Sequence, residues 1–173
     1  MKRSGRFVLV FWTALLSGQI KVQSGDPFLG NWKLDVAQSQ YPTGALPRSM
    51  TIEMTPAGDA VHYHSETVSE KGAVSHADYV AGYDGKAVIV AGSHGLLLPI
   101  AIRRPGADTV IATYLRGLDV VATSRRVVSE KGALMIITTV WQDAAGKEVT
   151  SIGIYRRFTE LIPLLHTQES RSQ

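Results

Sequence analysis

The chain predicts an all-β fold, an antiparallel up-and-down meander of about 8–10 strands closing into a barrel. Three observations carry this expectation. Short runs of alternating apolar and polar residues recur at even spacing from Trp32 to Phe158, each bounded by turn residues. Hairpin follows hairpin with no persuasive helical period between them, so strands adjacent in sequence are expected to pair antiparallel. Closing such a sheet removes its two exposed edges.

Taken in order, Trp32–Val36 opens the sheet, and Ala37–Pro47 is a loop rich in Ser, Gln, Gly and Pro. Arg48–Thr55 alternates around Met50, Ile52 and Met54, and Pro56–Asp59 turns the chain. Ala60–Val68 and Ala73–Tyr83 form a long pair joined across Ser69–Gly72. Asp84-Gly85 is the strongest hairpin signal, suited to a type I′ turn, and leads into Lys86–Ala91. Leu96–Ile102 is an apolar run, of which Leu96–Ile100 reads either as a buried strand or as an apolar lip at the barrel mouth. Pro99, which cannot donate to a ladder, marks an edge or a bulge there. Thr109–Leu115, Asp119–Val128, Ala133–Trp141 and Glu148–Phe158 complete about ten strands, and Glu160–His166 alone hints at a helical period. Val-Ser-Glu-Lys-Gly-Ala occurs twice, at Val68–Ala73 and Val128–Ala133, which reads as one turn chemistry used in two hairpins.

The first residues read as an address. Lys2, Arg3 and Arg6 precede the uncharged apolar run Phe7–Leu16, too short for the ~20 residues that span a bilayer but right for a signal-peptide core. Val22 and Ser24 place cleavage after Ser24, with Gly18 as the second choice. The expected organisation is a signal peptide over 1–24, a barrel over 25–160 and a polar C-terminal tail over 161–173, in an exported protein, periplasmic or secreted. No integral membrane segment is expected once the signal is removed. The chain holds 18 basic and 15 acidic residues; without Lys2, Arg3, Arg6 and Lys21, fourteen basic residues face those 15 acids. The basic balance thus belongs to the address, and nothing in the domain predicts a nucleic-acid footprint. With no cysteine, disulfides, thiolate metal sites, a Cys nucleophile and a lipid-anchored export form are excluded.

Gly30-Asn31-Trp32 at the barrel entry, Tyr83-Asp84-Gly85-Lys86, Arg126-Val127-Val128-Ser129 and Tyr155-Arg156-Arg157 carry a resemblance to the lipocalin-like, or calycin, barrels. More narrowly the chain resembles small exported bacterial lipocalin-like proteins, most without an assigned activity. The long Gly92–Ile102 stretch departs from the family pattern. The resemblance implies that Trp32 packs at the closed end against a cation of the last strand. Arg156 and Arg157 lie on opposite faces, and Arg157 shares its face with Tyr155 and Gly153. The fatty-acid-binding branch of the superfamily implies a second role, an Arg and Tyr155 holding a ligand carboxylate.

Tyr63, Tyr79, Tyr114, Arg125 and Tyr155 are the candidates for ligand contact. In each of the pairs Arg103-Arg104 and Arg125-Arg126 one side chain is expected to face in, meeting a ligand anion or a barrel carboxylate such as Asp119 or Glu53. His62, His64 and Glu66 share one face of their strand, and His76 and Asp78 one face of the next. A three-residue loop at Glu70–Gly72 would set Glu66 opposite His76 and His64 opposite Asp78, whereas a two-residue loop would put the two sets on opposite faces. Together the five have the makings of a zinc or iron site, but their regular alternation with Val61, Tyr63, Ala77, Tyr79 and Ala81 reads as a solvent face. No cofactor is expected, since neither a phosphate loop nor a dinucleotide glycine pattern is present, and Ser93-His94 lacks a nucleophile elbow. The leading expectation is a non-enzymatic carrier or sensor of a small apolar molecule. Two rivals stay open: an enzyme using the cavity with the His/carboxylate cluster, as a metal-assisted hydrolase or isomerase, and a solid-barrelled envelope protein that binds another protein.

Overall fold

The computed structural model describes residues 25–93, 95–129 and 131–159; the expected signal peptide, the tail and the helical hint at Glu160–His166 lie outside the described residues. Ten antiparallel strands form one closed barrel: β1 (Gly30–Leu34), β2 (Ser49–Ala57), β3 (Ala60–Val68), β4 (Val74–Ala81), β5 (Asp84–Gly92), β6 (Gly95–Gly106), β7 (Thr109–Arg116), β8 (Asp119–Val128), β9 (Leu134–Gln142) and β10 (Glu148–Phe158). Each pairs with its neighbours in sequence, and β1 closes the ring by pairing with both β2 and β10. Among the described residues no helix is long and apolar enough to cross a membrane.

The meander sorts its connections into two ends. Segment 25–29 and the turns before β3, β5, β7 and β9 lie at one end, and the loop 35–48 with the turns before β4, β6, β8 and β10 at the other. The first end is packed solid. Phe28, Trp32, Ile52, Met54, Val61, Ala81, Tyr83, Ile102, Val110, Ala112, Val128 and Met135 are buried there, one inward side chain from every second residue.

Trp32 is the centre of that plug. It is 0% exposed, and its indole Nε1 donates to the Phe28 carbonyl at 2.9 Å. Register places Arg157 directly across from it, and the guanidinium lies 4.2 Å from the ring centroid. Arg157 also donates to the carbonyls of Leu29, Pro27 (2.6 Å) and Gly132 (2.6 Å), tying the entering chain to the β8–β9 turn. Gly30 is required by this arrangement. Its φ is +113°, and a Cβ there would stand 2.5 Å from Arg157 Nη1. The resemblance's closed-end Trp–Arg pair is therefore present, with Arg157 as the cation.

The repeated hexapeptide does share turn chemistry. In both copies a serine hydroxyl accepts a backbone N–H across the turn, Ala73 onto Ser69 at 3.0 Å and Leu134 onto Ser129 at 3.3 Å. Gly72 and Gly132 both hold positive φ. The loops differ by one residue, since Ser69 faces Ala73 while Ser129 faces Leu134.

Two local expectations need correction. The β4–β5 register is centred on Asp84-Gly85, but Gly85 alone has positive φ (+79°), so the turn is not type I′. The two strands pair only at Ala77↔Gly92 and Asp78↔Ala91, and Asp84 joins β6 instead, opposite Arg103. Leu96–Ile102 divides between the two readings offered for it. Leu96 to Leu98 are an exposed lip, while Ile100 and Ile102 are buried. The β5–β6 register slips by one residue between Val88↔Ile100 and Val90↔Leu97, which sets a bulge at Leu98-Pro99.

Candidate functional site

Above the plug the lumen opens into a cavity of about 400 Å³, within the range of small-molecule sites. Its wall is two-sided. Met50, Ala77, Val90, Leu97, Leu98 and Ile100 supply apolar surface from β2 and β4–β6, while Tyr63, Ser65, Thr67, Tyr79, Tyr114 and Arg126 supply polar atoms. The bulge beside Pro99 breaks strict alternation, which is how the consecutive residues Leu97 and Leu98 both reach the cavity.

Arg126 forms the floor. It reaches across the lumen from β8 to β4, where Nη1 donates to the Tyr79 hydroxyl at 2.9 Å. Its guanidinium lies 5.0 Å from the Tyr63 ring centroid, and Tyr63 stacks on Tyr79 with centroids 4.7 Å apart. The residue is 4% exposed, and its Nε has no hydrogen-bond partner. Among the described residues Arg126 enters no ion pair, and the one buried carboxylate, Asp26, belongs to Arg104 at the closed end. Burial pushes the Tyr63 and Tyr79 hydroxyls above the ordinary tyrosine value despite the pull of Arg126, so both stay protonated donors.

One row nearer the mouth, Ser124 and Thr139 hydroxyls lie 2.6 Å apart, and Ser124 Oγ donates to Tyr114 at 3.5 Å. Leu98 and Tyr114 then lead into an outer cleft of about 880 Å³, with Val120, Ala122 and Trp141 on its wall and Arg116 and Glu148 at its rim. Leu118, 99% exposed at the tip of the β7–β8 turn, stands on the same rim.

The sequence candidates separate accordingly. Tyr63, Tyr79 and Tyr114 line the cavity. Tyr155 is buried behind it, its hydroxyl donated to Met50 Sδ at 3.1 Å. Arg125 is a correction: it is exposed on the outer face, and its neighbour Arg126 takes the interior position. Val128 pairs with Met135, both buried, and counting back in twos along β8 brings Arg126, not Arg125, inward. Of the other pair Arg104 faces in, and its carboxylate is Asp26 at 2.7 Å, rather than the exposed Asp119 or Glu53. Tyr83 donates to the same carboxylate at 3.0 Å, so this network ties segment 25–29 to the β4–β5 turn and β6.

His62, His64, Glu66, His76 and Asp78 lie on the outer face, in the register that a three-residue loop dictates: Glu66↔His76 and His64↔Asp78. His62 Nε2 and His64 Nδ1 contact the two Asp78 oxygens at 3.0 and 2.9 Å, and His76 Nδ1 contacts Ser93 Oγ at 3.0 Å. Partial burial opposes ionisation of Asp78, but the hydrogen bonds from His64 and His62 outweigh it and hold the carboxyl below its ordinary value. Among the described residues no group of three or more His, Cys, Asp or Glu is disposed to hold a metal ion. An enzyme built from this cluster inside the cavity is not what the strand parity allows, because the cluster and the cavity are on opposite faces of β3 and β4.

Sequence reasoning did not single out Arg126, Ser124, Leu98 or Trp141 as lining residues. For Arg126 the available signal was strand parity carried back from a buried β8–β9 pair.

A ten-stranded closed barrel plugged at one end and hollow at the other, with no helix across its mouth among the described residues, defines a calycin-type fold. Solved structures agree. The chain superimposes on zebrafish ileal bile acid-binding protein, complexed with cholic acid, with a TM-score of 0.53 and 12% identity, covering 76% of this chain and 99% of that one. It superimposes on a Schistosoma mansoni fatty acid binding protein, in complex with arachidonic acid, with a TM-score of 0.56 and 18% identity, covering 79% and 100%. No protein-family model matches the sequence, and no curated protein matches it. At these identities the likeness establishes the fold.

Proposed function

We propose that the barrel is a carrier that binds one amphipathic anion, acidic group down on Arg126 and apolar body running past Val90, Ile100, Leu97 and Leu98 to the mouth. The observation that carries this reading is a buried guanidinium that lines the floor of a cavity and has no carboxylate partner among the described residues. A desolvated cation without a counterion is costly, and an incoming carboxylate offsets that cost with charge-assisted hydrogen bonds. The two solved neighbours carry cholic acid and arachidonic acid, both amphipathic carboxylic acids, which supports the same ligand class here. Among the described residues the titratable groups that line the cavity are Tyr63, Tyr79, Tyr114 and Arg126, and burial holds the Tyr63 and Tyr79 hydroxyls protonated, as donors to a bound anion.

Displacement of a fluorescent apolar probe tests the proposal. Hexadecanoate is expected to bind once per barrel and about 10- to 100-fold more tightly than hexadecanol, the worth of hydrogen bonds to a buried charge. Equal affinities, or no binding of either, refute it.

We also propose that the carrier is exported, on the strength of the charged start and apolar run of Met1–Ser24. N-terminal sequencing of the protein from its native cell is expected to begin near Gly25; an intact Met1 start overturns this.

A further inference from the structure

Above Arg126, the Tyr114–Ser124–Thr139 cluster is a polar station that carrying a simple fatty chain leaves unused. Its hydrogens can be counted. Three hydroxyls supply three donors. Ser124 is the donor in its contact with Tyr114, and either hydroxyl can donate in the 2.6 Å contact between Ser124 and Thr139, so neither contact uses the hydrogen of Tyr114. The hydrogen of Tyr114 is then unspent, on a half-buried side chain that lines both the inner cavity and the outer cleft. Ser124 itself is 1% exposed and closed off behind it.

The position of this donor is set by the sheet. Tyr114 starts opposite Ala122 on β8, and its hydroxyl reaches back to Ser124, two residues from Arg126 on the same face of that strand. Two strand residues span about 7 Å. The apolar lining around it, from its own β6 partner Ile100 and Leu97 round to Val90, Ala77 and Met50, offers side chains without a donor. A ligand that places a methylene against Tyr114 strips water from that donor without replacing it, and one that places an oxygen there satisfies it.

We infer that the preferred ligand is an oxygenated amphipathic acid, with an acceptor oxygen about six carbons from its carboxyl, the reach of two strand residues, received by the Tyr114 hydroxyl. This rests on the carrier reading and adds the second contact point that orients the ligand about the barrel axis. A ketone is the sharpest probe, since it accepts and cannot donate.

The test compares hexadecanoate with two of its keto derivatives, one with the ketone about six carbons from the carboxyl and one with it beside the terminal methyl. The near-ketone acid is expected to bind the wild-type protein about fivefold or more tightly than either of the others. In Tyr114→Phe that advantage is expected to vanish, the near-ketone acid matching hexadecanoate on the same variant. An advantage that survives in Tyr114→Phe, or is absent from the wild type while hexadecanoate still binds, overturns this inference and leaves the carrier reading standing. Failure of all three acids to bind overturns both.

Discussion

Trp32→Ala is expected to cost about 3–5 kcal/mol of folding stability, the range for truncating a large buried aromatic. Domains commonly hold only about 5–15 kcal/mol, so the variant should melt at least 10 °C lower or fail to accumulate. Three losses combine here. The indole leaves a cavity in a plug where it is 0% exposed, the Phe28 carbonyl loses its donor, and Arg157 loses the ring beneath its guanidinium. Arg157→Met should also destabilise, because three carbonyls at the closed end lose their shared donor. The two substitutions should be non-additive by about 0.5–2 kcal/mol, since the side chains touch. Chemical denaturation of the two single variants and the double variant measures the coupling. Full additivity, or a Trp32→Ala variant that melts normally but loses ligand, would move Trp32 from the plug to the pocket wall.

Arg126→Met is expected to separate stability from binding. Hexadecanoate affinity should fall about 10- to 100-fold, while hexadecanol affinity should hold or improve as the floor turns apolar. The unliganded variant should melt at or above the wild-type temperature. The charge it removes is buried without a counterion, and replacing such a group by an apolar one of similar volume is commonly neutral or stabilising. A purely structural arginine predicts the opposite pair of results, a large drop in melting temperature with unaltered preference between acid and alcohol. The two readouts come from one preparation, so misfolding cannot be mistaken for lost recognition.

The sequence was a good guide wherever local chemistry decides. Even turn spacing set the number and order of strands, because each hairpin is closed by residues within it, such as Ser69 and Gly72 or Asp143 and Gly146. Gly30-Asn31-Trp32 placed the closed end through the resemblance they carry, and Gly30 is glycine because the chain there takes a φ of +113° beneath Arg157. The outer position of His62, His64 and Asp78 followed from the regular alternation of polar and apolar residues along β3 and β4, while their register waited on the loop, whose repeated hexapeptide closes at two different lengths.

What the tertiary structure decided was which of two equally plausible faces turns inward, and which distant groups meet. On β8 and β9 both parities are mixed: Arg125 and Arg126 are chemically identical, and Ile136 and Ile137 are equally apolar. Only the connection between β8 and β9 and closure of the ring choose Arg126 and Ile137 for the interior. Adding or removing one residue in that connection would exchange them. Arg126 meets Tyr79 across the lumen, 47 positions away, and Arg104 meets Asp26 at a separation of 78. Such partners are fixed by barrel curvature and strand stagger, quantities that no local pattern encodes. The cavity floor and its unpaired charge therefore exist only once the sheet has closed.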